Sequence, residues 1–537
     1  MEVTKSNVAL PKRLILAAAV AAVCAGLAAP AQADMETLLE KLRAKGVLSE
    51  EEYQEMRTEA RSERREQALK KAQDTEKAEK ASTTTGKVKG NGFGLESADG
   101  QSSINLTGRV HFDVRDFNHD MFDGSNDRDT ASVANGFEIR RARIGFNGNV
   151  YKDIGYEVVA NTVGSSANLI DTAWLNLGFL KSAQLRMGRF KQPFSLEELT
   201  SSNNIDFMER SYVNQLAPTK KLGIMIHGEP IAGVTYGVSA YQEDFNEVSA
   251  NDGNQVAARL TANFAAFTGW SNSVLHLGLA GSGGQYQVRP AVSSQTTSAA
   301  SGTTRATIIG FRSEDRGLQN IYRAQINGST LGTAGQTAGA VDEIAAEVDK
   351  NLQGLELAVA YGPLKLQGEY VKADFNATHP AGPTNTVTGD VTAQYVEAIW
   401  NITGEKWSDA YRSGAFSGIR PIRNFNVVSL EGSGAWQLAV RLSGFDASDI
   451  TVGNTTSRQQ NNNEAKTLTV GVNWILNPNV RLMLNYAKTD FEGSCFSGSG
   501  NTTSSTACVK ALDVSDPATQ TAIDSETVVS FRGQVNF

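Results

Sequence analysis

From Ile104 to Phe537, apolar and polar residues alternate with a period of two. In Ile104–Asp116, Ile104, Leu106, Val110, Phe112 and Val114 share one parity, while Asn105, Thr107, Arg109, His111, Asp113 and Arg115 share the other. That pattern predicts a strand with one lipid-compatible face and one wet face. The alternation returns at Ile139–Val150, Ile154–Val163, Ile170–Phe179, Gln184–Phe190, Lys221–Gly228, Val234–Tyr241, Val256–Phe264 and Val274–Ala280. It continues at Leu355–Tyr361, Leu364–Lys372, Ala393–Ile402, Ala435–Phe445, Lys466–Leu476, Val480–Lys488 and Thr527–Phe537, which makes sixteen strands. An even count suits a closed single-chain barrel.

The connections carry the same message. Short ones such as Tyr151–Asp153, Leu180–Ala183, Tyr361–Pro363 and Asn477–Asn479 alternate with long polar ones. The long ones include Phe117–Gly136, Lys191–Thr219, Ser282–Gly354, Ala373–Thr392 and Thr489–Glu526. Short turns at one end and long loops at the other are the pattern of outer-membrane barrels. In the last strand Val529, Phe531, Gly533, Val535 and Phe537 share a parity. It must pair with the first strand, because an open edge in lipid leaves backbone groups without partners. The predicted fold class is therefore all-β: a transmembrane antiparallel barrel over residues 104–537, preceded by a short helical extension. An all-β secreted sandwich or adhesin is the competing reading, and it leaves the turn asymmetry and the terminal Phe unexplained.

The first 103 residues differ. Lys12 and Arg13 precede an apolar run from Leu14 to Ala29, followed by Ala31-Gln32-Ala33. This predicts a secretory signal over 1–33, and Val23 before Cys24 argues against lipoprotein processing. Over 34–80 the spacing predicts two helices, Glu36–Lys45 and Glu50–Lys80, with Gly46 as a C-cap and Ser49 with Glu52 as a capping box. Beyond Thr58 the second helix has almost no apolar face, so it reads as a solvated, coiled-coil or disordered periplasmic segment. Residues 81–103 read as a linker. The implied location is the outer membrane of a Gram-negative bacterium, with the N-terminal segment in the periplasm.

Composition excludes several classes. A net charge of −8 and a pI of about 5.4 argue against a nucleic-acid binder. The five histidines are scattered, and no metal-ligand spacing, Gly-x-Ser-x-Gly or P-loop motif is present, so neither an enzyme nor a cofactor is expected. Cys495 and Cys508 lie in a Gly/Ser/Thr-rich stretch and read as a loop disulfide, with free thiols as the alternative.

The wet parity is rich in cations. Arg109 and Arg115 face inward in the first strand, as do Arg141 and Arg143 in the second and Arg186 in the fifth. Arg140 shares the lipid parity and is expected to snorkel toward the interface. A bland alternative is that these cations pair with Asp113, Asp153, Glu157 and Asp171 and simply brace the wall. Two connections are unusual. Lys191–Thr219 carries Phe194, Leu196, Leu199, Phe207 and Met208, which need burial, so it is expected to fold back into the barrel. Gly404–Gly434 falls where a short turn belongs. Its Lys406, Trp407, Tyr411, Arg412, Phe416, Arg420 and Arg423 suggest a second inserted segment or a missed pair of strands.

The run Gly188-Arg189-Phe190-Lys191-Gln192-Pro193-Phe194-Ser195-Leu196-Glu197-Glu198, with Phe207-Met208-Glu209-Arg210, resembles the phosphate-selective porins of the O/P type. Gly404-Glu405 through Gly418-Ile419-Arg420-Pro421 and Val472-Asn473-Trp474-Ile475-Leu476-Asn477-Pro478 extend the resemblance over essentially the whole barrel. The resemblance implies a trimeric barrel in which infolded loops make a narrow cationic path for inorganic phosphate, polyphosphate or other small anions. By motif position, Lys191 and Ser195 are the implied constriction residues. Arg210, Arg109, Arg141, Arg143, Arg186, Arg412, Arg420 and Arg423 complete the expected lumen set. Strongly phosphate-selective members carry a further basic residue shortly after the Leu-Thr-Ser-Ser element, where this chain has Asn203-Asn204. That departure weakens the implied phosphate preference more than it weakens anion passage. The rival classes are a non-selective porin and a structural or adhesive barrel whose stalk binds the cell wall.

Overall fold

Ser49 and Glu52 cap a helix as their spacing predicts. The Ser49 N–H donates to Glu52 Oε2 at 2.9 Å, and the Glu52 N–H donates back to Ser49 Oγ at 3.3 Å. The helix that follows, α1 (Glu50–Ser82), is held mainly by local contacts such as Gln54 Nε2 to Glu50 Oε1 at 3.0 Å. This computed structural model describes residues 40, 43–46, 49–82, 84–89, 92–97, 99–121, 126–127, 135–163, 169–243, 253–288, 305–318, 321–327, 346–379, 382–453, 458–492 and 523–537. The expected signal peptide, most of the first expected helix, and both Cys495 and Cys508 lie outside the described residues. The chain divides into two units, Met1–Thr83 and Thr84–Phe537.

In the second unit, sixteen strands close an antiparallel barrel. They are β1 (Ser103–Met121), β2 (Gly136–Val150), β3 (Ile154–Asn161), β4 (Ile170–Leu180), β5 (Ala183–Lys191), β6 (Lys220–Ile231), β7 (Val234–Gln242) and β8 (Asn254–Asn263). The second half comprises β9 (Ser273–Val288), β10 (Ala346–Tyr361), β11 (Leu364–His379), β12 (Gly382–Asn401), β13 (Ala435–Asp446), β14 (Glu464–Asn477), β15 (Val480–Glu492) and β16 (Ile523–Asn536). Each pairs with the next, and β16 pairs back with β1, from Ile523↔Met121 to Asn536↔Arg109. The closing strand ends with reciprocal bonds between Gly108 and Phe537, at 2.9 and 3.1 Å. Every strand expected from the alternation is present, and β9–β12 run beyond their expected ends. Within the stretch read as a linker, Thr84–Lys89 and Gly92–Ser97 form a hairpin whose second arm pairs with β1 at Leu95↔Ile104.

Alternation decides the two faces of the wall. Ile104, Val110 and Phe112 are exposed on the outside of β1, while His111, Asp113 and Arg115 are buried inside. Arg140 corrects the simple parity rule. The β1–β2 register jumps from His111↔Arg141 to Phe112↔Ile139, leaving Arg140 unpaired in a bulge. One extra residue resets the alternation. Ile139 thereby faces lipid, and Arg140 turns inward to Glu209 rather than snorkelling outward.

The interior is filled asymmetrically. The inner faces of β10–β14 carry small residues, among them Ala358, Ala360, Ala373, Ala393, Ala439 and Ala465, all buried. Against them pack Phe194, Tyr212 and Leu216 of the β5–β6 loop, and Phe311 and Ile321 of the β9–β10 loop. From the opposite end come Trp407, Ala410, Phe416 and Ile419 of the β12–β13 connection. That connection is an insertion and not a missed strand pair, since β12 pairs directly with β13 from Thr392↔Asp446 to Asn401↔Gln437. Arg305–Phe311, Tyr322–Asn327 and Arg458–Asn461 form a small three-stranded sheet linking two long loops, its Phe311, Tyr322 and Ile326 buried in the same cluster as Tyr212.

Candidate functional site

The β5–β6 loop, Gln192–Thr219, is positioned by charge. At its start Ser195 adopts a positive φ of 63° and its Oγ accepts the Glu198 N–H at 3.2 Å, capping the single turn Leu196–Leu199. The free N–H groups of Leu196 and Glu197 donate to the Glu369 carboxylate on β11, at 3.0 and 2.7 Å. Glu197 accepts from the Ser211 N–H and Oγ and pairs with Arg441 of β13 at 3.2 Å. Glu209 receives Arg140 and Arg115, each at 2.7 Å. Burial pushes the Glu209 carboxyl up, but Arg140 and Arg115 outweigh it and hold the group well below the usual carboxylate range. Lys365 of β11 binds Asp206 at 2.6 Å, and Arg532 of β16 binds Asp113 at 2.6 Å while donating to the Met208 carbonyl. One face of the loop is thus fastened to β1, β2, β11, β13 and β16 by buried ion pairs and hydrogen bonds.

Its other face borders a cavity of about 1070 Å³, walled by β1–β8. Ten lysines and arginines line it, against four carboxylates: Glu157, Asp171, Glu198 and Glu229. Of the residues expected from sequence, Lys191, Arg210, Arg109, Arg141, Arg143 and Arg186 are gathered here. Their engagement differs. Arg143 pairs with Asp171 at 2.9 Å, and Lys220 binds the same carboxylate. Lys191 donates to the Glu198 and Thr200 carbonyls and lies 3.8 Å from the Glu198 carboxylate. Arg210 donates to the Glu197 carbonyl and to the same Thr200 oxygen, at 3.1 and 2.7 Å. Both side chains therefore brace the end of the short turn as well as facing the cavity.

Arg109, Arg141 and Arg186 are different. Arg109 donates to Ser202 Oγ at 2.9 Å, Arg141 sits 3.4 Å from His111 Nδ1, and Arg186 lies 4.4 Å above the Trp174 ring. Among the described residues, no carboxylate comes within ion-pair distance of these three. Their charge is left facing the open space. Asn176 Oδ1 accepts from Arg186 Nε at 3.3 Å and from His227 Nε2 at 2.8 Å.

The remaining expected residues lie elsewhere. Ser195 is 1 % exposed, serves as the helix cap and does not line the cavity. Arg420 lines a second, smaller cavity of about 240 Å³, shared with Asn203, Asn204 and Arg481 on the β13–β16 side. Arg412 and Arg423 are exposed and line neither cavity, whereas Trp407 and Phe416 of the inserted segment are buried. The tip of that segment still reaches the cationic wall: Arg259 donates to the Gly414 carbonyl at 2.8 Å and pairs with Glu356 at 2.6 Å. Reading the sequence for inward cations missed Lys181, Arg189, Lys220 and Arg259. Arg259 stands on the wet parity of β8, with Ala257 and Thr261, the signal that could have found it, whereas Lys220 shares the parity of the outward Leu222, Ile224 and Ile226 and parity could not have found it.

The model of the family Phosphate-selective porin O and P matches residues 104–495. The chain belongs to that family. This porin is 27 % identical over 431 residues to Porin O of Pseudomonas aeruginosa, covering 75 % of its own length and 87 % of that protein. Solved structures with the same kind of barrel include an anion-selective porin from Comamonas acidovorans, at a TM-score of 0.42 and 13 % identity, covering 81 % of this chain and 100 % of that one. The outer membrane channel DcaP of Acinetobacter baumannii gives 0.44 and 10 %, covering 81 % and 97 %. The chain is a bacterial outer-membrane porin.

Proposed function

We propose that this porin conducts small anions by passive diffusion, with inorganic phosphate or polyphosphate among its solutes, and catalyses no reaction. The observation that carries this is the excess of cations around the larger cavity, above all Arg109, Arg141 and Arg186, which have no carboxylate partner among the described residues. A cation fixed in a narrow wall lowers the barrier for an anion, and several moderate sites permit both entry and exit. Arginine suits bidentate contact with phosphate, whereas Lys191 acts as a point charge. On this reading Lys191, Arg210 and the inward arginines form the conducting constriction, the porin is a homotrimer, residues 1–33 are a signal peptide and 34–80 reach into the periplasm. Asn203 and Asn204, set beside the smaller cavity, fit a preference for anions in general over phosphate in particular.

The test is conductance in planar bilayers. The purified porin should show stepwise channels with an anion-selective reversal potential, and phosphate should reduce the chloride current. A cation-selective reversal potential overturns the anion reading while leaving a porin. Absence of stepwise conductance favours a structural or adhesive barrel.

A further inference from the structure

The outer half of the β12–β13 connection, residues 422–434, does not enter the barrel. It returns along the outside. Trp436 and Trp474 face outward from β13 and β14 and stack at 5.0 Å with an interplanar angle of 14°. Phe425 packs on Trp474 at 4.9 Å. Both indole N–H groups donate to the Ser433 carbonyl, at 3.2 and 3.0 Å. The loop is further tied down by Phe425 N–H to the Leu476 carbonyl and Gly434 N–H to the Arg423 carbonyl. Indoles at a membrane rim keep their N–H groups wet or bonded; here both are bonded to the loop's Ser433 carbonyl.

What the loop presents in their place is apolar. Val427, Val428 and Leu430 are 64 %, 94 % and 73 % exposed. The tip nevertheless bonds three of its backbone N–H groups internally. Asn426 and Glu431 close it as a bridge, and Asn426 Oδ1 accepts the N–H groups of Val428 and Ser429 at 2.9 and 3.2 Å. Leu430 holds a left-handed φ of 55°, a costly conformation that keeps its side chain on the tip. A turn with internally bonded backbone and projecting aliphatic side chains has what entry into a bilayer requires. The loop is seated on Trp436 and Trp474, which share the outward parity of the exposed Leu438, Val440 and Val472.

We propose that residues 422–431 form a lipid anchor, with Val427, Val428 and Leu430 immersed in the leaflet at the short-turn end and the exposed Arg423 at the phosphate headgroups. The occupant is a phospholipid surface rather than a second protein, because the loop folds onto the wall that lipid already covers.

The experiment places a nitroxide on V428C in the full chain, reconstituted into phosphatidylethanolamine–phosphatidylglycerol vesicles. A second label on D449C, in the exposed turn after β13, reports water. The anchor predicts an oxygen-to-nickel-chelate accessibility ratio at 428 roughly tenfold above that at 449. Equal ratios overturn it by showing that the tip is in water. Spin–spin broadening between copies at 428, relieved by dilution with unlabelled chain, overturns it in favour of a protein contact. V428S, which keeps the turn and removes the aliphatic contact, should lower the thermal unfolding temperature in vesicles while leaving the reversal potential unchanged.

Discussion

Around the larger cavity and beneath the inserted loop, this barrel uses the same residue, an inward-pointing arginine, to opposite ends. Beneath the loop Arg115, Arg441 and Arg532 each meet buried carboxylates and loop carbonyls. Along the cavity Arg109, Arg141 and Arg186 meet a hydroxyl, an imidazole and an indole. A carboxylate within reach converts a cation into a strut; its absence leaves a charge for a solute. Strand parity alone cannot distinguish the two, because the struts find their partners in loops far away in sequence, Glu197, Glu209 and Glu314, or across the closing seam, Asp113.

The largest effect should come from breaking a strut. Arg441→Ala leaves Glu197 and Glu314 buried with a partner removed, a loss of about 3–5 kcal/mol. It should lower the thermal unfolding temperature, and the released loop should raise single-channel conductance. Next is Lys191→Glu, which changes the local charge by two beside Glu198. It should shift the reversal potential sharply toward cations, and an unchanged potential would place the constriction elsewhere. Neutralising one open arginine, as in Arg109→Gln or Arg186→Gln, should reduce the anion-to-cation permeability ratio about two- to threefold, in a salt-dependent way. These variants should barely alter unfolding, in contrast to Arg441→Ala. Gly414→Val should dislodge the insert from the opposite end. Its φ is +76°, and a Cβ there meets the Thr235 and Thr261 hydroxyls at 2.6 and 2.8 Å, so a cost of about 1–3 kcal/mol is expected in thermal unfolding. The smallest effect should be that of Ser195→Gly. Glycine accepts the positive φ, so block of chloride current by phosphate should stay near the parental level if the hydroxyl serves only as a cap.

The comparison also shows what the sequence made legible. The wall was readable because lipid on one side and water or polar loops on the other impose a strict period of two on every strand. Arg140 escaped that logic because a bulge costs one residue and leaves no mark in composition. The filling of one half of the bore did leave a mark: alanines on the inner parity of β10–β14, too small for a wall facing open water. Arg109, Arg141, Arg143 and Arg186 were legible from parity, whereas the role of Ser195 was not. Its motif position points at the solute, but its backbone conformation and bond to Glu198 turn it into the chain. Arg412 and Arg423 shared a segment with buried aromatics and were separated from them by the direction in which the insert folds.

The seam between β16 and β1 joins the two extremities of the barrel sequence, and its final stitch is the backbone exchange between Gly108 and Phe537. Pairing segments so far apart must wait until everything between them is in place. Until that seam is made, the outer edges of β1 and β16 expose unpaired backbone groups that a hydrocarbon surrounding cannot satisfy, so a chain with a disrupted β16 would have no way to seat itself in lipid.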